Sequence, residues 1–245
     1  MDALAELRTR LEEAATRWLT GAPAPARRLE TGCGPVTGLS AAPDGRLLVV
    51  EAHSPDSAGM VAQAWDPEAG RLVATCRVAA PWLETWFDPG GTRVVVESVV
   101  RVYGDREHDA SLWDPTADRL LARLTNERLE LWFTPDARLL VGAGFWRTGG
   151  EDPAAADEVL IHDAASGGLL ARHASWSAVP QQARVRAPRG PAARETSPHL
   201  ARLGEPPLPT VFLTLPGGEG RAFACGRSDG VVTLHDPRPA PPRAR

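Results

Sequence analysis

The stretches AWDPEAGRLVAT (64–75), LWDPTADRLLAR (112–123) and IHDAASGGLLAR (161–172) are one dozen-residue phrase written three times. A shortened fourth copy, LHDPRPAPPRAR, occupies 234–245. Trp65 and Trp113 lie 48 residues apart, and Trp113 and His162 lie 49 apart. A fixed period of roughly 40–50 residues belongs to repeat architectures, in which each unit is one supersecondary element that buries its faces against its neighbours.

Between these phrases a second pattern keeps register. APDGRLLVV (42–50), DPGGTRVVV (88–96), TPDARLLVG (134–142) and LPGGEGRAFA (215–224) align on a proline followed by turn residues. Proline fixes the bend, and Gly or Asp supplies the tight-turn angles, so each proline marks a hairpin. The apolar runs that follow, such as 47–50 and 94–96, are continuous instead of alternating, as expected of strands covered on both faces. Trp86–Phe87 and Trp132–Phe133 precede their turns equivalently and are expected in the core.

Composition narrows the function. The net charge of −4 offers no basic field for nucleic acid or anionic lipid, and no apolar run is long enough to span a bilayer. All 27 cationic residues are arginines, and Asn126 and Ile161 are the sole residues of their types, a bias that points to a GC-rich, bacterial genome. Cys33, Cys76 and Cys225 are widely spaced, which argues against a disulfide framework and for a reducing cytoplasm. The expectation is a soluble, cytoplasmic chain with no membrane or nucleic-acid partner.

Along the chain, 1–22 reads as an amphipathic helix, with Leu4, Leu7, Leu11, Ala14 and Trp18 at steps of three and four. It would pack on its own repeats or form a short seam with a second chain, which keeps a homodimer open. Residues 23–34 form a linker, in which 27–31 could supply an outer strand missing from the last repeat. Repeats occupy 35–80, 81–127 and 128–175, and a partial fourth with its tail occupies 210–245. Between them, 176–209 is rich in proline and arginine, delays the fourth repeat by about 35 residues, and is expected to be an irregular or disordered insertion.

In these repeats the chain resembles the WD40-repeat family of β-propellers, across roughly 35–175 and 210–238. The best match is FLTLPGGEGRAFACGRSDGVVTLHDP (212–237). The family's Trp-Asp position is filled by Trp65–Asp66, Trp113–Asp114, His162–Asp163 and His235–Asp236. The resemblance implies an all-β fold of about four four-stranded blades, with a short N-terminal helix. The Gly-His pair that opens a WD40 repeat is absent, so the family's buried Asp-His-Ser/Thr-Trp network does not carry over. Four repeats are few for a closed ring, and an open or incomplete propeller is expected ahead of a compact four-bladed ring, a ring shared by two chains, or a fragment of a longer product.

Motifs of catalysis are missing. His53, His108, His162, His173, His199 and His235 show no metal-binding spacing, and there is no phosphate-binding loop, dinucleotide fingerprint or G-x-S-x-G elbow. No cofactor is expected. The one chemical recurrence is acidic: Glu84 and Glu130 stand five residues before their aligned prolines, and Glu51 and Glu97 stand eight after theirs. If they converged, these carboxylates could hold a divalent cation or act as acid and base, making a propeller hydrolase or metal-binding protein; arginine partners would neutralise them instead. The leading expectation is a non-enzymatic scaffold that binds a protein or peptide through the connections 52–59, 102–109 and 145–156, with Tyr103, Trp146 and Arg147 as anchors. A truncated or decayed paralogue without its own function is a third reading.

Overall fold

The computed structural model describes residues 27–56, 59–102, 105–125, 129–144, 158–190, 192–194, 209–216 and 222–235. The amphipathic stretch 2–20, Tyr103, Trp146, Arg147 and His199 lie outside them.

The strands on either side of each aligned proline pair antiparallel, and the first three Trp-Asp phrases each become a hairpin. At the proline turns Gly45 and Gly91 take φ of +73° and +69°, and Ala137 is held at +57° where the third repeat has no glycine. After the strands, the Asp of the Trp-Asp position closes the next turn with its carboxylate. Asp66 Oδ1 accepts from Ala69 N at 2.8 Å, Asp114 Oδ1 from Thr116 N and Ala117 N at 3.1 Å, and Asp163 Oδ1 from Ser166 N at 2.7 Å. The recurring aspartate is therefore a turn-former.

Seventeen strands result among the described residues. In chain order β1 is Arg27–Glu30, β2 Val36–Ala41, β3 Leu48–His53, β4 Met60–Asp66 and β5 Arg71–Val78. The next four are β6 Leu83–Phe87, β7 Val94–Val102, β8 Asp105–Asp114 and β9 Arg119–Thr125; then come β10 Leu129–Phe133, β11 Leu139–Gly144, β12 Glu158–Asp163 and β13 Leu169–His173. The last are β14 Ala192–Arg194, β15 Pro209–Thr214, β16 Phe223–Arg227 and β17 Val231–His235.

They form four antiparallel blades of a β-propeller: β2-β3-β4-β5, β6-β7-β8-β9, β10-β11-β12-β13, and β15-β16-β17 completed by β1. β1 runs antiparallel to β17 with Arg27 opposite Leu234 and Glu30 opposite Val231, so the strand made first closes the blade made last. Thr31 Oγ1 donates to Gly230 O, Arg27 Nη1 donates to Pro67 O at 3.1 Å, and Gln63 Nε2 donates to Thr31 O at 2.9 Å, tying this latch to the first blade as well.

Each apolar run serves two neighbours. On β3, Leu48 and Val50 pack with Leu29, Val211, Leu213 and Val232 of the fourth blade, while Leu47 and Val49 pack with Leu83, Phe87, Val94 and Trp113 of the second. Trp86, Val95 and Leu112 then meet Leu131, Phe133 and Leu140 of the third. The blades therefore stack in the order 4-1-2-3. Among the described residues no apolar cluster joins blade 3 to blade 4.

The far face of blade 3 is covered by the segment that follows β13. Trp132, Val141, Val159 and Ile161 are buried under Val179 and Ala183, with Trp176 edge-on to Trp132 at a ring separation of 5.8 Å. Here the expectation of an irregular 176–209 is corrected in part. Residues 176–194 contain a 3-10 turn at Trp176–Ala178, a four-residue helix α1 at Gln181–Arg184, and β14, which pairs with β2 through Ala192–Ser40, Ala193–Leu39 and Arg194–Gly38. Proline discourages ladder pairing, but this segment is held mostly by side chains, which need no ladder donors.

Candidate functional site

The innermost strand of each blade is the first in its repeat: β2, β6 and β10. Counting back from the aligned prolines, blades 2 and 3 place Glu-x-Trp here (Glu84 and Trp86, Glu130 and Trp132), whereas blade 1 places Gly38 and Ser40. Side chains of a strand alternate, so each Glu and its Trp share a face.

Residues 176–190 and 192–194 form a strap that crosses these strands in turn. At blade 3, Arg186 makes a two-pronged ion pair with Glu130, Nη1 to Oε1 and Nη2 to Oε2, the latter at 2.9 Å, and its guanidinium lies 4.5 Å from the Trp132 ring centre. Ala187 N donates to Phe133 O at 2.8 Å, and Trp132 Nε1 donates to Ala183 O at 3.1 Å. At blade 2, Arg189 Nη1 reaches Glu84 Oε1 at 3.2 Å with its guanidinium 4.1 Å over Trp86. At blade 1, where the residues are small, the strap comes close enough to pair as β14.

The two half-exposed ion pairs are each worth about 0–1 kcal/mol, and each cation–π contact about 0.5–1 kcal/mol. Each buried Val, Leu or Phe between the blades is worth about 1.5–3 kcal/mol, and every interface has many. The strap is thus an added layer on a scaffold that the blades themselves stabilise.

The sequence brings the four recurring carboxylates to related depths, but the structure gives them separate tasks. Glu84 and Glu130 hold the strap arginines. Glu97 lies opposite Glu84 in the β6–β7 ladder. Glu51 is 1% exposed and bridges blades 1 and 2: its Oε1 accepts from both Thr85 N and Thr85 Oγ1 at 2.7 Å, and Thr85 Oγ1 lies 2.8 Å from Ser40 Oγ. This cluster is buried where blades 1 and 2 meet. It depends on Gly38, since a Cβ there would fall 2.0 Å from Glu51 Oε2.

Among the described residues no three His, Cys, Asp or Glu side chains are grouped to hold a metal ion. His162 and His235 fill the Trp position: His162 Nδ1 lies 3.2 Å from Gly167 O, and His235 stacks on Phe223 at 4.4 Å. Burial pushes the Cys76 and Cys225 thiols up to about 11, and raises Cys33 as well, which is the opposite of what a nucleophilic cysteine needs. No helix among the described residues is long and apolar enough to cross a membrane.

The strap is what sequence reading missed. Its signal was the Arg-x-x-Arg of 186–189 inside a proline-rich stretch, complementary in charge to two recurring Glu-x-Trp triplets. The loop anchors Tyr103, Trp146 and Arg147 fall outside the described residues.

No protein-family model matches the chain, and no curated protein sequence matches it. Among solved structures it is similar to Sqt1 from Chaetomium thermophilum bound to the N-terminus of the ribosomal protein L10, at 15% identity over 83% of this chain and 58% of that one, with a TM-score of 0.38. It is also similar to a eukaryotic initiation factor, at 16% identity over 91% of this chain and 45% of that one, TM-score 0.40. A third is TolB from Acinetobacter baumannii, at 14% identity over 84% and 55%, TM-score 0.36. The chain thus spans less than two thirds of the length of each of these structures.

Proposed function

We propose that this protein is a non-enzymatic interaction scaffold, a WD40-like propeller of the cytoplasm that holds another protein or a peptide. One observation carries the reading: the inner face already grips an extended chain segment with side-chain clamps, and both recurring inner-strand carboxylates are engaged by its arginines. Carboxylates so engaged serve recognition better than acid–base chemistry, for which at least one should be free to exchange a proton with substrate. The connections 102–109 and 145–156, with Tyr103, Trp146 and Arg147, would add selectivity at the blade ends.

The test is to cross-link the purified full chain in cell extract, then rebuild the complex from purified components and measure its affinity by calorimetry. The expected result is a defined complex that the Y103A/W146A/R147A variant weakens at least tenfold. Failure to rebuild any complex, together with a hydrolytic or metal-dependent activity lost in E84Q or E130Q, would overturn the reading.

A further inference from the structure

The two clamps are built alike but filled unequally. In blade 3 the Arg186 guanidinium meets both Glu130 oxygens, and the Trp132 indole N–H is satisfied by the carbonyl of Ala183, three residues before that arginine. In blade 2 Arg189 makes one contact with Glu84, and the carbonyl three residues before it belongs to Arg186. Trp86 Nε1 does not receive that carbonyl: the ring is 2% exposed, yet its nitrogen has no hydrogen-bond partner among the described residues. A buried donor left without an acceptor is costly, so the strap is held less well at blade 2 than at blade 3.

We propose that the Glu84–Trp86 clamp is a binding site for an arginine in an extended peptide segment of a partner, and that Arg189 occupies it in cis as a stand-in. The site selects arginine over lysine because a planar guanidinium can lie on the indole while presenting a fork to the carboxylate. The strap gives way locally: the Arg189 side chain is 47% exposed, Val185 is 51% exposed, and among the described residues one backbone hydrogen bond, Ala187 N to Phe133 O, holds 185–190 to the inner strands. Blade 3 retains its own filled clamp and keeps the strap attached.

This inference rests on the scaffold reading and names the chemistry of its partner. The probe is a fluorescein-labelled peptide of residues 182–190 (QARVRAPRG), with an analogue carrying lysine at the position of Arg189. Anisotropy titrations use the full chain as wild type, R189A and R189A/E84Q. R189A is expected to bind the arginine peptide at least tenfold more tightly than wild type, with a tenfold loss for the lysine analogue and a comparable loss in R189A/E84Q. Equal binding by wild type and R189A, or equal binding of the two peptides, would overturn the proposal and make the strap a fixed clasp. If R189A does not unfold cooperatively, hydrogen exchange on wild type decides. Saturating arginine peptide must speed exchange at 187–190 and leave the blades unchanged, and unaltered exchange refutes the site. A rebuilt complex sensitive to the loop variant, alongside a peptide that fails, would sink this inference while leaving the scaffold reading intact.

Discussion

Ala137 occupies a turn position that glycine fills in blades 1 and 2, with φ of +57°. The left-handed region costs an L-residue about 1–2 kcal/mol, partly offset by the freedom glycine loses on folding. A137G should therefore stabilise the protein by about 0.5–1 kcal/mol in urea denaturation, and a loss of stability would contradict the turn geometry. His162 gives a second residue-scale expectation. Its burial, opposed by the Gly167 carbonyl, holds the imidazole below its ordinary value of 6.5, and the Ser166 hydroxyl and N–H hold Asp163 below 3.8. Both folded values lie under the unfolded ones, so the native state binds fewer protons and stability falls on acidification. The His162 contribution is complete above about pH 6.5 and declines as pH falls through its folded value; that of Asp163 is complete above about pH 4 and declines below it. H162W, which restores the side chain of blades 1 and 2, should abolish the first decline between pH 7.5 and 5.5 and retain the second. The turns were legible because proline and glycine act locally. The pairing of Glu51 with Thr85 was not, since it joins residues of different blades, and the absence of a side chain at Gly38 leaves no pattern to read.

At the level of elements, β1 fastens blade 4. Leu29 is buried between blades 4 and 1 beside Val232 and Leu234, so L29A should cost about 2–4 kcal/mol by chemical denaturation. A cost under 1 kcal/mol would mean that the latch strand is dispensable. The missing outer strand was legible from the proline tail that follows Asp236, because a blade with an unpaired edge needs a partner. The strap was not legible as an ordered element. Sequence periodicity reports segments that bury a face at regular spacing, whereas the strap places Val179, Ala183, Arg186 and Arg189 against separate surfaces of two blades. The carboxylates of the candidate site were legible as a recurrence, but their ligand lay some fifty and one hundred residues away, as the Arg186–Glu130 and Arg189–Glu84 separations of 56 and 105 record.

At the scale of the whole molecule, the chain treats the far face of blade 3 and the outer flank of blade 4 differently. The far face of blade 3 is roofed by Trp176, Val179 and Ala183, while on blade 4 Phe212 is 41% exposed. V179D should lift that roof and leave Trp132, Val141 and Ile161 facing water. Its expected signature is a mass that rises with concentration in sedimentation velocity under conditions where wild type does not change. An unchanged mass with unchanged tryptophan emission would show that the roof is not needed. The closure by β1 also bears on how the molecule is made. Arg27 leaves the ribosome about two hundred residues before its partner Leu234, so blade 4 cannot assemble until Leu234 has emerged. Until then, β1 and the apolar flank of blade 1 wait unpaired, and the nascent chain is most open to chaperones, and to mispairing, through that interval.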